Sequence, residues 1–270
     1  MRSLAFRAGG VLDALAAPWM AMVPRERPTT DVLREAGLDS GGRYAWGVRR
    51  ARRKRLLRRI RRRLRRRGPE DLRGAVEVEG LDALRQALAA GQGAMLVGLH
   101  GGPREVVLAA LRLEGLDALT VRESPPPPWD PPVRCVRIPR LADAVGRARV
   151  MIEVVVALRA GALVAVTMDG RGAPAASDGR RGGAAGVARA SRAPSFPVVA
   201  RADPDGRVRI RFGPAVAPPA ARDDEPRWIA SHEAWIEHAR ADDDLARLDQ
   251  ALMAARFRQH HAPTRNGSVA

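Results

Sequence analysis

Cysteine is nearly absent: Cys135 is the only one in 270 residues. No disulfide can form within the chain, and no zinc site built on several cysteines is possible. Cys135 lies in "PVRCVRIP", which alternates like a strand and offers no base, so it reads as an inert packed thiol. Aromatic residues are scarce too, at 4%, so a core must rest on Ala, Val and Leu. Lysine is missing almost entirely, since Lys54 is the one lysine among 47 basic residues. So uniform a preference for arginine, beside abundant Ala, Gly and Pro, points to codon bias, and the high isoelectric point alone says little about partners. A long apolar run is lacking as well. In "MRSLAFRAGGVLDALAAPWMAMVPRER", Asp13 interrupts the apolar stretch and Pro18 divides it. Neither half approaches the roughly 20 residues of a spanning helix, and no clean small-x-small cleavage site follows. An interfacial or shallowly inserted helix is the expectation there; a weak signal or spanning segment and a soluble helix are the alternatives.

What is present is charge, concentrated in one place. The chain carries a net +17; residues 1–74 hold 21 basic and 7 acidic side chains, and the remainder 26 and 23. The segment "VRRARRKRLLRRIRRRLRRR", residues 48–67, has 14 basic side chains and no acid. Leu57, Ile60 and Leu64 recur at helical spacing, which describes a basic helix with a narrow apolar seam. Such a helix suits an anionic membrane: the seam enters the interface while Arg49, Arg53 and their neighbours reach lipid phosphates. Nucleic acid is the disfavoured partner, because no aromatics interleave for base stacking and no recognised binding motif surrounds the segment. A solvated helix is the bland alternative.

From residue 76 the pattern becomes alternating strand and helix. Strands are expected at Val76–Val78, Ala94–Leu99, Ala118–Arg122, Val133–Ile138, Leu163–Met168, Phe196–Arg201 and Val208–Phe212. Helices are expected at about Leu81–Ala90, Arg104–Glu114, Leu141–Ala160 and Ala184–Arg192. That order argues for an α/β fold, a central mixed sheet flanked by helices. The run "SPPPPWDPP" must be a loop, and "PDG" at 204–206 a turn. The organisation is then residues 1–74 as N-terminal membrane-associating helices, 75–222 as the α/β core, 223–262 as C-terminal helices and 263–270 as a frayed tail. Trp228, Trp235, Leu245, Leu248, Leu252 and Phe257 are the expected C-terminal anchors.

One histidine is placed for chemistry. In "GAMLVGLHGGPREVVLAALRLEG" an apolar strand ends at His100, Gly101 and Gly102 allow a tight turn, Pro103 suits a first helical position, and Glu105 falls in the first turn. A carboxylate on one ring nitrogen fixes the tautomer and supports the imidazolium formed when the other takes a proton. Backbone N–H groups of the turn could hold an oxyanion. No serine or cysteine stands by as nucleophile, so direct activation of a substrate hydroxyl or amine remains. By itself the spacing is a weak pattern, and a lone histidine after a strand is more often a packing residue. His232 and His238 read as packing or surface residues.

At these residues the chain resembles the lipid A lauroyl/myristoyl acyltransferase-like branch of the lysophospholipid acyltransferases. The preamble "VEVEGLDALRQALAAGQGAMLVGLH", the His-x4-Glu spacing, "LTVRE" with Arg122, "ALRAGALVAVTMDGRG" with Asp169 and Arg171, and "GVARASRAPSFPVVARADPDGRVRIRFGPAV" follow the family's blocks in order over about residues 76–217. The resemblance implies transfer of a fatty acyl group from an acyl carrier protein or coenzyme A thioester to a hydroxyl or amine of a glycolipid or phospholipid. His100 is then the general base and Glu105 its orienter. Arg122 and Arg171 bind phosphate, Asp169 holds its loop or one of these arginines, and no metal or further cofactor is needed. The implied place is the cytoplasmic face of the inner or plasma membrane. The chain departs from the family at Pro103 and Arg104, and Arg104 is a candidate partner for Glu105. The alternatives are a catalytically degenerate lipid- or phosphate-binding protein of the same fold and a nucleic-acid-associated basic protein.

Overall fold

Short apolar runs bounded by glycines become strands, and the longer amphipathic stretches between them become helices. The structure is a computed structural model, and it describes residues 30–38, 43–98, 104–122, 132–138, 144–168 and 182–252, apart from 204, 247 and 250. Helices α1 (Thr30–Glu35) and α2 (Arg43–Arg67) precede a short 3-10 turn (Pro69–Leu72). Then come β1 (Val76–Glu79), α3 (Asp82–Ala89), β2 (Ala94–Gly98), α4 (Arg104–Leu113), β3 (Ala118–Arg122) and β4 (Cys135–Arg137). The order continues with α5 (Ala144–Arg159), β5 (Leu163–Thr167), α6 (Gly182–Ser191), β6 (Ser195–Ala202), β7 (Val208–Phe212) and α7 (Glu225–Ala239).

The strands form one seven-stranded sheet in the order β1-β7-β6-β2-β5-β3-β4. Strands β2 to β6 run parallel to one another, while β7 is antiparallel to β6 and carries β1 parallel to itself. The architecture is therefore the expected mixed α/β sheet, with a strand at each of the seven expected places. Central β2 is apolar and buried along almost its whole length, as a strand covered on both faces should be. Near the edge, β7 alternates buried and exposed positions.

Each face of the sheet has its own core. On one face Leu96, Phe196, Val198 and Ile210 pack with Leu84 of α3, with Val106, Leu108 and Leu111 of α4, and with Ile60 and Leu64 of α2. On the other, Met95, Val97 and Val164 pack with Val150, Val154 and Leu158 of α5, with α6, and with Trp228 of α7. A satellite cluster joins the two ends of the described chain: Val32, Leu33, Ala36 and Trp46 meet Leu248 and Ala251.

The basic helix α2 sits differently from the expectation. Leu64 is 0% exposed and Ile60 5%, because their seam is covered by the protein's own core rather than turned outward. Arg53 is buried as well and donates from Nη1 to Asp243 Oδ1 at 2.9 Å. Neither the two aliphatics nor Arg53 is open to a lipid surface in this arrangement. Leu57 is half-buried and Arg49 exposed, its guanidinium 4.9 Å above the Trp46 ring. The outer face of α2 still presents exposed arginines, among them Arg52, Arg58, Arg59 and Arg62. Among the described residues no helix is long and apolar enough to cross a membrane.

Candidate functional site

Sequence and topology converge on the carboxyl end of the parallel strands, where α/β proteins keep their ligands. Strand β2 stops at Gly98 and α4 starts at Arg104, so the connection holding His100, Gly101 and Gly102 falls between them, outside the described residues. Strand β5 pairs with β2 to its last residue, Gly98 opposite Thr167, and Met168 N donates to Gly98 O at 3.0 Å. The connection that carries Asp169 and Arg171 follows from there; it too lies outside the described residues. On the far side of β5, Arg122 closes β3 and is half-buried. Three neighbouring strands thus end at one rim, and each leads into or ends on a residue that the sequence singled out.

Glu105 stands where expected, in the first turn of α4. A carboxylate there complements the positive end of the helix. Its Oε2 is buried and has no hydrogen-bond partner among the described residues. Buried polar atoms are almost always paired, and one that is not asks for an explanation. Arg104 does not take up that oxygen. It reaches instead across to β3, where its Nη2 donates to Val121 O at 3.1 Å, one residue before Arg122.

Beside this helix start lies a small cleft. Its walls are apolar: Leu96 of β2, Val107 and Leu108 of α4, Ala165 of β5 and Val198 of β6. Gly98 also lines it and keeps it open by lacking a side chain; a Cβ there would meet Val198 at 3.6 Å, an ordinary contact. Two guanidinium-bearing residues, Arg104 and Arg240, supply its charge. An apolar lining with guanidinium groups at its edge is chemistry that matches an aliphatic group beside an anionic one. Arg240, just beyond α7, had no signal in the sequence. Only the tertiary fold brings the C-terminal segment to the cleft.

The remaining nominated histidines separate. His232 is fully buried within α7, while His238 is exposed near its end. Cys135 is half-buried on β4, with its Sγ 3.6 Å from Val136 O. Among the described residues no three His, Cys, Asp or Glu side chains gather as a metal site.

No protein-family model matches the sequence, and no curated protein matches it. Among solved structures, the chain is similar to the 1-acyl-sn-glycerophosphate (LPA) acyltransferase PlsC from Thermotoga maritima. The two share 16% identity over 87% of this chain and 98% of that one, with a TM-score of 0.45. At that score and identity no activity passes from one to the other.

Proposed function

We propose that the protein is an acyltransferase that moves a fatty acyl group from an acyl thioester to a hydroxyl or amine of a lipid acceptor. The observation that carries this reading is the buried Oε2 of Glu105, without a hydrogen-bond partner among the described residues, five residues past His100 on a helix whose first residue, Arg104, lines an apolar cleft. A carboxylate oxygen so placed is ready to receive an imidazole N–H. The ordered blocks of family resemblance around His100, Arg122, Asp169 and Arg171 support the same assignment.

In the proposed reaction His100 takes the proton of the acceptor's hydroxyl or amine as that atom attacks the thioester carbonyl. Backbone N–H groups at Gly101 and Gly102 hold the oxyanion. Collapse breaks the C–S bond, and the leaving thiolate recovers the proton from the imidazolium, whose charge Glu105 has balanced. An ester or amide and a free thiol result; the steps call for no metal and no cofactor beyond the acyl donor. Arg122 and Arg171 bind phosphate of the acceptor or of the donor's pantetheine arm, the task that a planar guanidinium fits. Asp169 holds one of them or its own loop. The donor is an acyl carrier protein or coenzyme A thioester, and the place of work is an anionic membrane surface on its cytoplasmic face. The net positive charge of the chain favours such a surface over a neutral one.

The test is consumption of a labelled acyl thioester in the presence of extracted membrane lipids. His100→Ala should abolish transfer with the circular dichroism unchanged, and Glu105→Gln should lower it by about 10²–10⁴-fold. Unaltered transfer by His100→Ala ends the assignment. Wild-type protein that binds vesicles while consuming no thioester from either donor class would identify a non-catalytic lipid binder of the same fold. Comparing lipids from cells with and without the protein by mass spectrometry would name the acceptor, as a species heavier by one acyl group.

A further inference from the structure

Helix α5 is apolar on two opposite sides. Val150, Val154 and Leu158 face the sheet and are buried, 7%, 1% and 0% exposed. On the reverse, Val145, Ile152 and Val156 are 75%, 64% and 60% exposed, the large hydrophobic side chains that stand out among the described residues. Their i, i+7, i+11 spacing aligns them in one stripe. Arg149 and Arg159 flank the stripe and are exposed, with Arg147 near the helix start and Glu153 as the one acid on the helix. A surface helix is ordinarily apolar on one side only, and a helix apolar all round is ordinarily covered.

We infer that this outer stripe of α5 is the surface the protein lays on an anionic bilayer. The charge argues for that occupant. Two arginines beside the stripe, Arg149 and Arg159, against one glutamate match anionic headgroups, and the aliphatic side chains between them can enter the acyl boundary, the composition of an interfacial helix. A second copy of the chain fits less well. Three aliphatic side chains are a small apolar patch beside the ~800 Å² per partner of a standard interface. Two copies would also bring Arg149 and Arg159 of one helix against those of the other. The alternative membrane element, α2, has Ile60 and Leu64 buried in the core, so it offers charge without depth. Helix α2 packs on the opposite face of the sheet from α5, and the two assignments are therefore separable. The inference rests on the proposed function only for the membrane as the acceptor's location, and vesicle binding can fail while thioester consumption survives, or the reverse.

The experiment is sedimentation of the full chain with phosphatidylcholine vesicles, with and without phosphatidylglycerol. The triple variant Val145→Ser, Ile152→Gln, Val156→Gln should bind anionic vesicles at least about tenfold more weakly than wild type. Replacing Arg58, Arg59 and Arg62 of α2 with glutamine should change binding by less than that. As an independent check on folding, Ile152→Trp should tighten binding, because an indole favours the interface. Wild-type binding by the triple variant, or no gain from Ile152→Trp, overturns the inference. So does a concentration-dependent wild-type dimer that the triple variant abolishes, since the stripe would then belong to a second copy.

Discussion

Glu105 Oε2 and His232 Nε2 are both buried with no hydrogen-bond partner among the described residues, and their surroundings assign them opposite roles. Glu105 lies in the first turn of a helix that lines a cleft and that follows the connection holding His100. His232 lies inside a packed element: its Nδ1–H donates to Trp228 O at 2.9 Å, and its ring centroid is 4.1 Å from that of Trp228. The indole in turn donates from Nε1 to Ser195 Oγ at 3.1 Å. Such a histidine fills space as the neutral tautomer, and burial lowers its pKa below the usual 6.5, with the hydrogen bond to Trp228 O opposing part of that shift. The unfolded chain therefore takes up the proton more readily than the folded one. This group leaves stability unaffected above about pH 6.5 and erodes it as pH falls from there to the folded-state value. His232→Leu, which removes the titration and keeps the volume, should show a smaller fall in melting temperature between about pH 7.5 and about pH 5 than wild type. An equal fall would show that other groups carry the acid sensitivity.

Among elements, β2 matters most, because its end sets where the His100 connection begins. Gly93 fixes its start: φ is +62°, and a Cβ there would lie 2.1 Å from Leu158 O. Both the backbone conformation and the space forbid a side chain. Gly91 shares the positive φ, at +71°, with nothing within 4 Å of a Cβ. Gly93→Ala should thus destabilise by on the order of 3 kcal/mol and Gly91→Ala by about 1 kcal/mol in urea titration. Similar losses at the two sites would mean that the close approach to Leu158 relaxes without cost. The strands themselves were legible from sequence, since apolar runs such as "AMLV" and the alternation of "VRIRF" encode burial directly. The Glu105 position was legible as well, through proline and glycine punctuation ahead of an apolar helix. What covers the seam of α2 was not. Leu57, Ile60 and Leu64 have a period, and a period says that a face is apolar without saying whether lipid or protein meets it. The exposed stripe of α5 was not legible for the converse reason: a helix apolar on two sides has the sequence pattern of a fully buried one.

Across the whole molecule, the two ends of the described chain hold each other. Arg53 of α2 meets Asp243 across 190 residues of sequence, Arg50 Nε donates to Asp249 Oδ1 at 2.5 Å, and Trp46 packs with Leu248 and Ala251. Residues before 74 and after 223 therefore share a cluster, and α2 also contributes to the core of the sheet. The cleft depends on this closure, since Arg240 reaches it from the segment that Asp243 anchors. The Arg53–Asp243 pair is lopsided. Asp243 Oδ1 also accepts from Ala246 N at 3.0 Å, capping the helical stretch that follows, whereas Arg53 Nε is buried with no hydrogen-bond partner among the described residues. Removing Arg53 leaves the carboxylate with work as a cap; removing Asp243 strands a buried guanidinium and uncaps the helix. Asp243→Ala should accordingly cost about 3–5 kcal/mol. Arg53→Met, which fills the same space with an apolar chain, should cost distinctly less. Denaturant titration of the two single variants and the double variant decides the matter. The double variant should be no less stable than Asp243→Ala alone, because it no longer buries an unpaired charge. Equal losses in the two single variants, or a double variant weaker than either, would show that the pair does not join the ends in the way its geometry indicates.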